Sequence, residues 1–234
     1  MLQYYHILPV WASTPWILEI KGKCLVVEKQ ERAAIPVITV ILAALNILAY
    51  IVTEIYGSSL DSSHMIHMGA MYEPSLLEDQ EYYRLVSCMF LHFGMEHLIN
   101  NMISLLVLGY SLEQAIGKAW FCFIYLGTGV ISSIVSFYYN VQTGQEVVSC
   151  GASGAVFGLM GAFLVLLVVH RKRNLRGDIP RFALYLALSL YTGFRDPGID
   201  GAAHAGGFVS GMVICAAMCV IKTIYKDRKG QRTE

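Results

Sequence analysis

Polar residues in this chain are gathered into clusters, and the stretches between them are apolar runs that are long for a soluble domain of this size. Six runs read as membrane spans: Ala33 to about Tyr56, His97 to about Leu112, Trp120 to about Tyr139, Ser153 to Val169, Phe182 to Phe194 and Ala202 to about Ile221. The first is interrupted mainly by Asn46. Several are shorter than the ~20 residues of a full crossing, which predicts local thinning of the bilayer or helices that end inside the protein. Residues 57–91 carry Asp61, Glu73, Glu78, Asp79 and Glu81 and read as a mixed loop too polar to span. The predicted fold class is all-α, a polytopic bundle of six transmembrane helices.

The basic residues orient this bundle. With six spans, fifteen of the seventeen Lys and Arg residues fall on one side, and only Arg84 and Arg195 on the other. The positive-inside rule then places both termini in the cytoplasm. Residues 1–32 hold Tyr4, Tyr5, Trp11 and Trp16 and no Lys or Arg before Lys21, so they lack the pattern of a cleavable signal peptide. They read as a cytoplasmic, interfacial segment. The expected division is this segment, a six-span core over 33–221 and a basic cytoplasmic tail over 222–234.

Composition supports lipid as the solvent. The chain is 56% hydrophobic and 15% charged, against about a quarter charged in ordinary soluble domains. A formal net charge of zero gives no support to nucleic-acid binding.

Candidate chemistry appears once the spans are ordered. The fourth span opens with Gly151-Ala152-Ser153-Gly154, and a serine between glycines is open to close approach. The sixth opens near Gly201-Ala202-Ala203-His204, and the second carries His97 and Asn101 on one helical face. All three spans start on the outer side, so these residues share one layer below the outer surface. Gly154 and Gly158, like Gly207 and Gly211, are spaced by four residues, which lets two helices pack closely. Such a layer supports acyl transfer. Ser153 would attack, His204 would act as general base, and His97, Asn101 and the Ser153 amide would form an oxyanion hole. Phe157, one turn below Ser153, would pack on the His204 ring or simply on lipid and core.

The ordered set resembles the rhomboid intramembrane serine proteases. It comprises Tyr83-Arg84, His92, His97-Leu98-Ile99-Asn100-Asn101, Gly109, Glu113, Gly151-Ala152-Ser153-Gly154 with Phe157, and His204 with Gly207 and Gly211. The match runs in order from roughly residue 83 to 211. The resemblance implies a rhomboid-like six-helix fold, a Ser153–His204 dyad, the oxyanion site above, and neither metal nor cofactor. It also implies partners that are transmembrane proteins, cleaved within the lipid bilayer near its outer face. Arg84, His92, Glu113 and the glycines would support the site. Tyr83 stands where the family usually has Trp, and Phe157 where it usually has Tyr.

Other readings were weighed on particular residues. His92 and His97 are five apart, a spacing that fits neither common zinc-protease helix motif. Asp200, four before His204, is either a triad acid or a cap of the sixth span. Cys88 and Cys150 both lie on the outer side, which leaves a disulfide open. A catalytically silent rhomboid-like chaperone or binding protein would share the fold but typically lacks the serine or the histidine. A small transporter would show internal repeats or charges at mid-membrane, and neither is present.

Overall fold

The computed structural model describes residues 16–21, 24–29, 35–169 and 200–230. The expected fifth span, Phe182 to Phe194, lies outside the described residues. The chain divides into two compact units, Met1–Ile35 and Pro36–Glu234.

In the first unit, β1 (Trp16–Lys21) and β2 (Cys24–Lys29) pair antiparallel, from Trp16 opposite Lys29 to Lys21 opposite Cys24. This hairpin adds to the helical expectation. Both segments are rich in Ile, Val and Leu, with only the two residues Gly22 and Lys23 between them, which is a hairpin signal. The interfacial reading had weighed the aromatic residues and passed over that pattern.

The second unit is the helical membrane bundle that the hydropathy predicts. Its helices are α1 (Val37–Tyr56), α2 (Ser62–His67), α3 (Glu73–Leu77), α4 (Arg84–Ser87), α5 (Gly94–Ile116), α6 (Lys118–Thr143), α7 (Ser153–Val169) and α8 (Gly201–Gly230). Among the described residues, three segments are long and apolar enough to cross a membrane: Val37–Tyr56, Lys118–Thr143 and Gly201–Tyr225. α7 is apolar but has 17 residues, about 25 Å of helix. α5 is long enough but carries Glu96, His97, Asn100, Asn101 and Glu113, of which Asn101 and Glu113 are buried while Glu96 and Asn100 are exposed. The expected turn at 113–119 shrinks to one residue. Gly117 ends α5 and starts α6 at φ +90°, a conformation open to glycine.

Burial is inverted relative to a soluble protein. Asn46, Thr128 and Ser136 are 0% exposed, whereas Leu48 is 57% and Val213 63% exposed. Lipid explains both halves of this pattern: apolar side chains have no reason to leave it, and polar ones do. Some of the buried hydroxyls are satisfied within their own helix. Thr128 donates to the Ile124 carbonyl at 2.7 Å and Ser133 to that of Gly129 at 3.1 Å.

The tightest packing joins α7 to α8 on one side and to α6 on the other. A Cβ at Gly207 would strike the Gly154 carbonyl, one at Gly211 the Gly158 carbonyl, and one at Gly161 the Phe208 carbonyl. On the α6 side, Ser132 fills the notch at Gly154 and Thr128 the notch at Gly158. The missing Cβ atoms therefore let α7 meet α8 backbone to backbone and take α6 side chains into its notches.

Gly207→Ala is expected to destabilise the fold by about 1–3 kcal/mol, the range for inserting a methyl into a filled contact. Gly127→Ala, where the new Cβ would meet only Ile214 Cδ1 at an ordinary 3.8 Å, is expected to be neutral or slightly stabilising. Equilibrium unfolding of both variants in detergent micelles checks the pair. Equal stability would mean that the α7–α8 contact is not tight.

Candidate active site

Ser153 is the first residue of α7, and the segment that delivers it turns at Gly151, with φ +140°. That glycine has a second reason to be one. A Cβ on it would lie 2.8 Å from His97 Cε1 and 2.9 Å from Nε2, and 3.7 Å from Ser153 Oγ. The His97 imidazole and the Ser153 hydroxyl thus share the open side of Gly151. His97 sits in the first turn of α5, and Asn101 follows one turn on. The Asn101 side-chain amide donates to the His97 carbonyl at 3.0 Å, which fixes the side chain along the helix.

His204 stands in the first turn of α8. Its ring stacks on Phe157, with centroids 4.2 Å apart and planes within 14°. Phe157 follows Ser153 by one turn on α7, and Gly154 meets Gly207 one turn beyond His204. The first turns of α7 and α8 are therefore clasped together, with the serine on one and the imidazole on the other. The aromatic packing was one of two uses foreseen for Phe157, and the ring takes it.

His92 lies in the loop before α5 and is buried. Its Nε2 accepts from the Ala152 amide at 3.4 Å, and its ring meets His97 edge-on at 5.2 Å. Burial, with a smaller effect from His97, pushes the His92 imidazole down to about 3, so it is neutral at physiological pH. A neutral ring that accepts at Nε2 carries its proton on Nδ1. His92 thus holds the segment leading into Ser153 against the base of α5.

The remaining expected residues lie elsewhere. Arg84 is buried in the 57–93 loop, where it donates to the Ile66 carbonyl at 2.6 Å, the Ala70 carbonyl at 2.9 Å and Glu81 at 2.7 Å. It closes that loop on itself. The Tyr83 ring lies beside its guanidinium, 5.4 Å from the centroid. Glu113 is sixteen residues along α5 from His97, about 24 Å away. It accepts from the Ile38 amide at 3.0 Å, the Thr39 amide at 2.8 Å and the Thr39 hydroxyl at 2.9 Å, so it caps α1. Gly109 allows Thr39 that approach.

The Asp200 carboxylate is engaged away from the His204 ring. Oδ1 accepts from the Ala203 amide at 2.9 Å, and Oδ2 accepts from the hydroxyls of Ser149, at 3.1 Å, and Ser136. Of the two roles foreseen for it, the bonds describe the helix cap. Cys88 and Cys150 are free thiols. Burial pushes Cys88 up to about 11 and Cys150 further. No group of three potential metal ligands occurs among the described residues.

Sequence reasoning missed a polar ladder on α6. Ser136 bonds Asp200, and one turn on Asn140 donates to the buried Glu73 at 2.7 Å. Glu73, read as an ordinary loop acid, also accepts from the Val147 amide at 3.3 Å. The signal was present: Thr128, Ser132, Ser136 and Asn140 recur every four residues within an apolar helix.

Comparison with known proteins agrees with this arrangement. The family model described as Rhomboid domain matches residues 79–221, more than half of the chain. Rhomboid protease GluP of Bacillus subtilis is 34% identical over 183 residues, covering 78% of this chain and 35% of that protein. RHOMBOID-like protein 5 of Arabidopsis thaliana is 40% identical over 149 residues, covering 63% of this chain and 47% of that protein. Rhomboid protease AarA of Providencia stuartii is 33% identical over 208 residues, covering 79% of this chain and 73% of that protein. The chain thus spans less than half the length of the first two of these relatives. On the extent of the family match, the fold and these identities, the chain belongs to the rhomboid family.

Proposed function

We propose that this chain is an intramembrane serine endopeptidase that cleaves transmembrane segments of other membrane proteins near the outer face of the bilayer. The observation that carries the reading is the clasp of α7 on α8, which puts Ser153 and His204 on adjoining first turns, with Phe157 stacked on the imidazole. Family membership, and the two relatives named as rhomboid proteases, support the same chemistry.

His204 takes the Ser153 proton as Oγ adds to the scissile carbonyl carbon. The carbonyl oxygen becomes an oxyanion, which the Ser153 amide, His97 and Asn101 stabilise. Collapse of the tetrahedral intermediate breaks the C–N bond, and His204 returns the proton to the leaving amine. The acyl-enzyme is then hydrolysed by a water that His204 deprotonates. The ring of Phe157 keeps the imidazole in place through both steps. No residue in this scheme calls for a metal or a cofactor.

The reading includes six spans, with both termini in the cytoplasm of a bacterial-type plasma membrane. The distribution of basic residues supports the orientation, with a core over 33–221 and a basic tail over 222–234. The segment over 1–32 would lie on the cytoplasmic side.

Cleavage of a transmembrane substrate in proteoliposomes tests the roles by rank. Ser153→Ala and His204→Ala are expected to fall to background while the protein stays folded. His97→Ala and Asn101→Ala are each expected to lose about 10²–10³-fold, the range for one oxyanion donor in a water-excluded site. Substrate that is bound but uncut by the wild-type protein would instead favour the chaperone reading.

Phe157 separates ring from hydroxyl. Phe157→Tyr keeps the stacking surface and is expected to stay close to wild type. Phe157→Ala frees the imidazole and is expected to lose roughly 10²-fold in kcat, the scale of a misplacement near 1 Å. Wild-type turnover in a folded Phe157→Ala protein would remove the ring from the account.

A further inference from the structure

Asp200 stands outside the proposed dyad, yet it bonds to three elements around it. Oδ1 accepts from the Ala203 amide at 2.9 Å, the third residue of α8, which is the geometry of a helix N-cap. The Asp200 carbonyl accepts from the His204 amide at 3.1 Å, closing the turn that carries the imidazole. Oδ2 accepts from Ser136 on α6 and, at 3.1 Å, from Ser149, four residues before Ser153. Ser149 is itself anchored. Its amide and carbonyl exchange hydrogen bonds with Met71, each at 2.9 Å.

We propose that Asp200 is a positioning residue, which fixes the first turn of α8, and so the His204 ring on Phe157, relative to the segment that delivers Ser153. The proposal rests on the serine-protease reading. Its physical basis is the weakness of that turn. In Gly201-Ala202-Ala203-His204-Ala205-Gly206-Gly207 the three glycines lower helix propensity, and the tight contact with the Gly154 carbonyl is made at Gly207, beyond the imidazole, so the turn that carries His204 relies on its cap. A first turn also has amides with no partner inside the helix. Asp200 satisfies one of them and at the same time ties the turn to α6 and to the Ser149 segment. Loss of the carboxylate would release all three bonds together, and the imidazole would lose its fixed height on α8.

The same geometry says what Asp200 contributes. Its oxygens meet an amide and two hydroxyls, so acceptor placement matters and a negative charge is not required. An asparagine keeps the oxygen for Ala203, and its amide group can donate to the two serine oxygens, whose own protons can rotate away. A triad acid behaves differently, since the amide would favour the wrong imidazole tautomer and cost about 10⁴-fold.

Two measurements on the full chain test the proposal. In proteoliposomes, Asp200→Ala is expected to lower kcat by about 10²-fold with KM little changed, and Asp200→Asn to recover to within about tenfold of wild type. The double variant Ser136→Ala, Ser149→Ala is expected to fall between them. The second readout does not depend on catalysis. The His204 imidazole signals, assigned by their loss in His204→Ala, are shifted by the Phe157 ring current. They are expected to move toward unstacked values in Asp200→Ala and to stay in place in Asp200→Asn. A folded Asp200→Ala protein with unchanged kcat and unchanged His204 signals would overturn the proposal. So would an Asp200→Asn protein as inactive as Asp200→Ala with its His204 signals in place, because that result describes a triad acid. If the wild-type protein cuts nothing, the protease reading fails, and the histidine spectra still decide the positioning role. If Asp200→Ala does not fold, Ser136→Ala and Ser149→Ala decide it by the same spectra.

Discussion

Everything at the candidate site depends on backbone-to-backbone contact between α7 and α8. In lipid, burying an apolar side chain between helices gains nothing that the acyl chains do not already supply, so association rests on close packing and polar bonds. Glycine serves both ends. The carbonyls of Gly154 and Gly158 face the bare Cα atoms of Gly207 and Gly211, and the bare Cα of Gly161 faces the Phe208 carbonyl. Ser153 and His204 each lie in the first turn of one of these helices, and Phe157 of α7 stacks on the imidazole. Longer residues in place of Gly161, Gly207 or Gly211 would push the two helices apart.

The same glycines leave room on the opposite face of α7, and α6 fills it with hydroxyls rather than hydrocarbon. Ser132 and Thr128 sit in the notches at Gly154 and Gly158, and Thr128 is satisfied by its own helix. Further out, Ser136 and Asn140 reach Asp200 and Glu73. α6 therefore presents a polar edge inside the bundle and an apolar face outside it. Polar clamps hold both ends of the bundle. Glu113 caps α1 at one end of α5, and Lys222 donates to the Ile116 carbonyl at 3.0 Å where α5 ends. At the other end Arg84 ties up the loop that precedes the site.

Much of this was legible in the sequence because the membrane imposes few choices. Apolar length marks a helix, and α7 begins where its apolar run does, at Ser153. Glycines four apart announced close contact, and the structure pairs Gly154 with Gly207 and Gly158 with Gly211. What stayed hidden depends on partners distant in the chain. Nothing local tells that Glu73, in an acidic loop, faces Asn140 sixty-seven residues away. Nor does it tell that Arg84 turns inward to carbonyls, or that His92 receives the Ala152 amide. The hairpin of β1 and β2 departs from the interfacial reading because tryptophan, an interface residue, is also a strand former.

The central claim is that Ser153 is a nucleophile made reactive by His204. A fluorophosphonate probe carrying no transmembrane recognition element reads this directly, because it reacts with an activated serine without needing a substrate helix to enter. The account predicts a covalent adduct on the peptide that contains Ser153, seen by mass spectrometry in the folded wild-type protein and absent in folded His204→Ala. A folded wild-type protein that stays unlabelled at Ser153, or one labelled equally well without His204, would contradict it.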